Sequence, residues 1–99
     1  MNGCIIYATN TDGDLFFISN TDPILWSGEK SEAKIFKRIS IAKRELEENK
    51  TSLNWTITFC FITEIVIIEY KNGIEIGREK FLWIFIHQKY KNMHERKNL

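Results

Sequence analysis

Asn-Thr-Asp-Gly-Asp, residues 10 to 14, sets Asp12 and Asp14 around a glycine, and Asp22 follows closely. Clustered carboxylates are what a calcium loop or a general acid/base pair requires. Asn10, Asp12 and Asp14 alternate as EF-hand ligands do, but counting from Asn10 puts Leu15 where the loop glycine belongs and Thr21 where its bidentate glutamate belongs. Asp-Gly has a sufficient structural role of its own. A two-residue type I′ turn needs positive φ at both central positions, which Asp tolerates and Gly adopts freely. The aspartates are therefore expected to be a charged hairpin turn, with no metal bound.

Nucleophilic chemistry has few candidates. The thiols are Cys4 and Cys60 and the imidazoles His87 and His94. Both cysteines fall in apolar runs that read as strand interiors, so they are expected to be buried thiols with no base beside them. His87 and His94 would share a helix face, but two ligands are too few for zinc. There is no C-x-x-C, G-x-x-x-x-G-K, G-x-G-x-x-G or H-E-x-x-H. We expect no catalysis, no cofactor and no metal site.

What remains is recognition by contact. The net charge is only +1, but it is unevenly placed. Asp12, Asp14, Asp22, Glu29 and Glu32 face only Lys30 in the first 32 residues, an acidic region able to meet a basic partner surface with Trp26 as its aromatic anchor. Lys34, Lys37, Arg38 and Arg44 on the following segment, with Lys89, Tyr90, Lys91, Arg96 and Lys97 near the end, form the alternative, a basic surface for nucleic acid. Three glutamates at the end of that segment weigh against direct nucleic-acid binding. Ile41, Tyr90 and Met93 are further candidates for exposed contacts.

The elements that must position these groups follow from periodicity. Ninety-nine residues, 43% of them apolar, suffice for one domain with its own core and leave no room for a second. Cys4 to Thr9 and Leu15 to Ser19 read as a hairpin about Asp12-Gly13. Ile35, Ile39, Ala42 and Leu46 recur at helical steps, predicting one amphipathic helix from Ser31 to Glu48. Trp55, Ile57, Phe59 and Phe61 alternate with Thr56, Thr58 and Cys60, the period of a strand, and Ile65 to Tyr70 continues as β. Asn72-Gly73 marks a second hairpin, whose edge strand offers a route to sheet extension. Phe81 to Ile86 is a strand or the start of a helix, and 87–99 a basic tail. The expected fold is α+β: an antiparallel sheet in the order β-β-α-β-β-β with one helix across one face.

The run from Trp26 through SEAKIFKRISIA, Ser31 to Ala42, behind a short hairpin, resembles small phage and mobile-element proteins that share a Trp, an Ala-x-x-Phe and a following Ala. Some of these inhibit bacterial immunity, anti-CRISPR proteins among them. The likeness covers the first half of the chain, rests mostly on core residues and transfers no functional residue. It implies a protein-binding inhibitor of a host protein, such as a nucleic-acid-binding defence nuclease or sensor. The N-terminus MNGCIIYATN has no basic segment before its short apolar run, and Trp55 to Tyr70 is interrupted by Glu64 and Glu69. The expectation is a cytoplasmic protein, monomeric or a small homo-oligomer, with no membrane partner.

Overall fold

A computed structural model describes residues 1–81. The chain runs β1 (Gly3–Asn10), β2 (Leu15–Thr21), β3 (Ile24–Ser27), a 3-10 turn (Lys30–Glu32), α1 (Ile39–Glu48), α2 (Lys50–Cys60), β4 (Ile62–Lys71) and β5 (Ile74–Lys80). The five strands form one antiparallel sheet in the order β3-β2-β1-β4-β5. This is the α+β class and the antiparallel sheet that the sequence predicts. The element order differs, β-β-β-α-α-β-β, with two helices rather than one. Residues 82–99, which hold the expected last strand and the basic tail with Lys89, Tyr90, Lys91, Arg96 and Lys97, lie outside the described residues.

β1 and β4 are the centre of the sheet, aligned from Gly3 opposite Tyr70 to Asn10 opposite Ile62. Alternation splits their side chains between two faces. Cys4, Ile6, Ala8, Ile65 and Ile67 meet Ala42 and Leu46 of α1, Leu53 of α2 and Ile18 of β2 in the main core. Ile5, Val66 and Ile68 fall on the other face and are buried too. Strands buried on both sides need near-continuous apolar sequence, which Cys-Ile-Ile-Tyr-Ala and Ile-Val-Ile-Ile supply.

β1 and β2 pair directly only where Tyr7, Ala8 and Thr9 face Phe17, Phe16 and Leu15. Beyond that they splay, and the extended segment after the 3-10 turn fills the gap. The Lys34 N–H donates to the Ile18 carbonyl (2.8 Å), and Phe36 exchanges both backbone bonds with Cys4 (2.7 and 2.8 Å). These bonds are why the helix starts at Ile39 and not at Ser31. The apolar residues of 31 to 38 satisfy a helical pattern, but their backbone groups are committed to the sheet, and a group can make only one such ladder. Phe36 enters the core, whereas Ile35 is left 55% exposed. The wedge requires close approach at Gly3, φ +133°, where a Cβ would stand 2.6 Å from the Phe36 carbonyl oxygen.

The Trp55–Phe61 segment is helix for all but its last residue, not strand. Leu53 is buried and Ile57, one turn on, packs against the core. The threonines that suggested a strand return their hydroxyls to the helix backbone, Thr56 Oγ1 to the Ser52 carbonyl (3.1 Å) and Thr58 Oγ1 to the Asn54 carbonyl (3.0 Å). Ser52 Oγ accepts the Ile24 N–H at 3.0 Å, tying α2 to β3. Tertiary contacts outweigh a strand propensity worth at most about 1 kcal/mol per residue.

Both hairpins form. Asn72 and Gly73 adopt φ 53° and 77°, as a type I′ turn demands. The first turn is different from the expected one. The Gly13 N–H donates to the Asn10 carbonyl at 3.0 Å, so Thr11 and Asp12 are the central pair and Gly13, φ 83°, follows them in the left-handed region. Asn10 Oδ1 accepts the N–H groups of Asp12 (3.0 Å) and Asp14 (2.9 Å), which fixes the loop.

Candidate functional site

The surface that folding leaves unaccounted for lies at the end of α2. Trp55 and Phe59 stand one helical turn apart and their rings stack, centroids 5.2 Å apart and planes 10° from parallel. They are 61% and 68% exposed, and Phe61, which ends the helix, is 69% exposed. Phe61 adopts φ 54°, ψ 45°, the left-handed position where a helix normally places glycine. A non-glycine residue there costs about 1–2 kcal/mol, and a solvent-facing ring recovers little of it by burial. The fold gains little from phenylalanine at this site. Cys60, expected in a strand interior, is at the helix end and exposed.

The acidic hairpin is part of the same surface. The Thr11 N–H donates to the Phe61 carbonyl at 3.1 Å, holding the β1–β2 turn against the end of α2. Asp12 and Asp14 are both exposed on that turn, Asp14 Oδ2 accepting Asn10 Nδ2 at 3.3 Å. A stacked pair of solvent-facing rings, with a third exposed ring and two carboxylates at the end of the same helix, has the composition of an interface core with a charged rim.

The other acidic residues do not join it. Asp22 is exposed in the β2–β3 turn, at the opposite end of β2, roughly 20 Å away for a strand of this length. Glu32 accepts Ser27 Oγ at 2.9 Å beside the 3-10 turn, and Glu29 precedes that turn, exposed. Trp26 is not a loop residue. It is in β3, half-buried and packed against the core, with its indole Nε1 buried and unpartnered, and its ring is not free to anchor a partner. Ile41 likewise packs on the core instead of standing among the helix charges.

Lys34, Lys43 and Arg44 are engaged within the chain. Lys34 Nζ bonds Glu45 at 3.0 Å and the Thr21 hydroxyl at 3.1 Å, and lies 5.3 Å over the Phe36 ring. Thr21 donates to the same Glu45 oxygen at 2.7 Å. Burial pushes the Glu45 carboxyl up, but Thr21, Lys34 and the Arg44 charge pull it further down, and the net displacement is downward. Lys43 pairs with Glu79, and Arg44 lies 3.9 Å from Glu48. Lys37 and Arg38 are exposed just ahead of α1. The Cys4 thiol is pushed up, first by burial and then by the Glu69 charge, which disfavours the nucleophilic thiolate.

Trp55, Phe59 and Phe61 escaped the sequence reading because strand alternation would have turned them inward together. The signal that distinguishes the helix is the double one-turn spacing, Leu53 with Ile57 toward the core and Trp55 with Phe59 away from it. Among the described residues there is no group of three or more metal-ligating side chains, and no helix long and apolar enough to cross a membrane. No known family model, curated protein or solved structure matches the chain.

Proposed function

We propose that this protein is a non-catalytic binding module that docks on another protein through Trp55, Phe59 and Phe61, with Asp12 and Asp14 at the rim facing a basic surface. The observation that supports this most is Phe61, a bulky residue in a strained backbone conformation whose ring folding does not bury. Burying one such ring in a partner is worth about 1.5–3 kcal/mol, enough for three exposed rings to dominate an interface. The rim carboxylates accelerate encounter with a cationic surface. A nucleic-acid channel on a host defence nuclease or sensor has that charge, and the likeness of the first half of the chain to phage-type inhibitors favours such a partner. The role is occupation of the surface, without chemistry.

The test is site-specific crosslinking in host lysate with a photoreactive phenylalanine analogue at position 59, and, as control, at position 37, exposed in the segment ahead of α1. One protein should be captured from position 59 alone, and Trp55→Ala/Phe59→Ala in an otherwise folded chain should lose it. Equal capture from both positions, or capture unaffected by the double variant, would sink the reading.

A further inference from the structure

The sheet face turned away from the helices carries a second site with different chemistry. Ile5 and Ile68, directly opposed in register, form the floor of an open pocket of about 300 Å³. Tyr7 and Phe17, also opposed, wall one side with rings 6.4 Å apart and tilted by 51°, and Tyr70 walls the other. Two cations close the rim. Lys30, on the 3-10 turn that the β1–β2 splay brings over this face, lies 4.8 Å above the Tyr70 ring and donates to its hydroxyl at 3.1 Å. Arg78 of β5 stacks 5.9 Å from the Tyr7 ring centroid and donates through Nη1 to the Tyr7 hydroxyl at 3.1 Å, while Nη2 is held by Glu75 at 2.8 Å.

The hydrogen-bond arithmetic of this rim is one-sided. Each tyrosine hydroxyl accepts from a cation and so keeps its own proton to donate outward. Lys30 has two further N–H bonds to give. Among the described residues no carboxylate lines the pocket itself, Glu75 holding Arg78 from outside it. Aromatic walls over an apolar floor bind a flat ring, and a rim made of donors binds an anion. Stacking rings interleaved with cations on an open antiparallel sheet are the arrangement by which single-stranded nucleic acid is held without reading its sequence. The volume is at the small end of ligand pockets, enough for one unit.

We propose that this pocket binds a nucleotide, its base stacked among Tyr7, Phe17 and Tyr70 and its phosphate on Lys30 and Arg78. The unit is supplied free, as a mononucleotide, or by a single strand of which the pocket holds one residue. The site is distinct from the α2 surface and uses none of the cations on the α1 side.

The experiment uses the full chain, a fluorescein-labelled 12-mer of deoxythymidine and unlabelled AMP. By anisotropy at two salt concentrations the 12-mer should bind, more weakly in higher salt, as phosphate contacts require. Lys30→Glu should weaken it at least tenfold, Tyr70→Ala by roughly 5- to 150-fold, and Arg44→Glu, on α1 and not lining the pocket, less than twofold. Chemical-shift mapping on the unmodified protein gives a readout that no variant's folding can confuse. Methyl signals of Ile5 and Ile68 should move on adding AMP or the 12-mer, and that of Leu53 should not. AMP that displaces the 12-mer identifies the free mononucleotide as a source. A 12-mer that binds and shifts these methyls while AMP does neither assigns the pocket to the single strand. The proposal is overturned if neither probe shifts Ile5 and Ile68, if Lys30→Glu and Tyr70→Ala bind like the parent, or if poly-glutamate competes as well as AMP, which would make this a general anion site.

Discussion

Replacing Phe61 by glycine separates what the fold needs from what a partner needs. Phe61 ends α2 at φ 54° and ψ 45°. Leaving that conformation to glycine relieves about 1–2 kcal/mol of steric cost. Against this, glycine gives the unfolded chain extra freedom worth about 0.4–1 kcal/mol. The ring is 69% exposed, so only about a third of its burial value, roughly 0.5–1 kcal/mol, is lost with it. These terms nearly cancel, and Phe61→Gly should lie within about 1 kcal/mol of the parent in either direction, a melting-temperature shift of at most about 4–8 °C. An ordinary buried phenylalanine truncated to alanine loses about 3–5 kcal/mol. Thermal and urea unfolding measure the difference, and the same preparation is titrated against the protein captured by crosslinking. Affinity should fall at least tenfold although stability changes by no more than about 1 kcal/mol. A loss of more than about 1 kcal/mol of stability would show that the ring carries packing energy. Unchanged affinity would remove it from the interface.

Gly3→Ala should cost about 2–4 kcal/mol and lower the melting temperature by about 10–20 °C, because the left-handed backbone and the contact with the Phe36 carbonyl act together; a shift of under about 3 °C would mean that the wedge of residues 33–36 is not rigid. Glu45→Gln should lose about 1–2 kcal/mol at neutral pH, the low end for bonds to a half-exposed charge. Since the folded carboxyl is displaced downward, the unfolded chain binds more protons in the acid range, so this stability is complete above the usual carboxylate value and lost as pH falls through the lowered one. Urea melts of the parent and Glu45→Gln should therefore converge below that value, and curves that stay parallel would contradict it. Of the two thiols, only Cys60 should react with Ellman's reagent in the native state, Cys4 joining it on denaturation. A bulky maleimide on Cys60, between Phe59 and Phe61, should block partner binding while leaving the melting curve within a few degrees.

Local sequence determined the pieces whose energetics are local. Asn72-Gly73 makes its hairpin because few other dipeptides accept two positive φ values. Cys4 to Ala8 and Ile65 to Ile68 are central strands because their runs are apolar on both alternating faces. The periodicity of Ile39, Ala42 and Leu46 placed them on the packed side of α1, half-buried Ile39 against the core formed with the other two. Tertiary structure decided the rest. The helical pattern of 31 to 38 yielded to the backbone bonds offered by Cys4 and Ile18, and the strand pattern of 55 to 60 yielded to the packing of Leu53 and Ile57. In both cases side-chain periodicity was satisfied by two backbone conformations, and only contacts distant in sequence chose between them. The same long-range choices made both candidate sites. Winding Trp55 and Phe59 into a helix turned them outward, and the splay of β1 from β2 brought Lys30 over Tyr70, forty residues away in the chain.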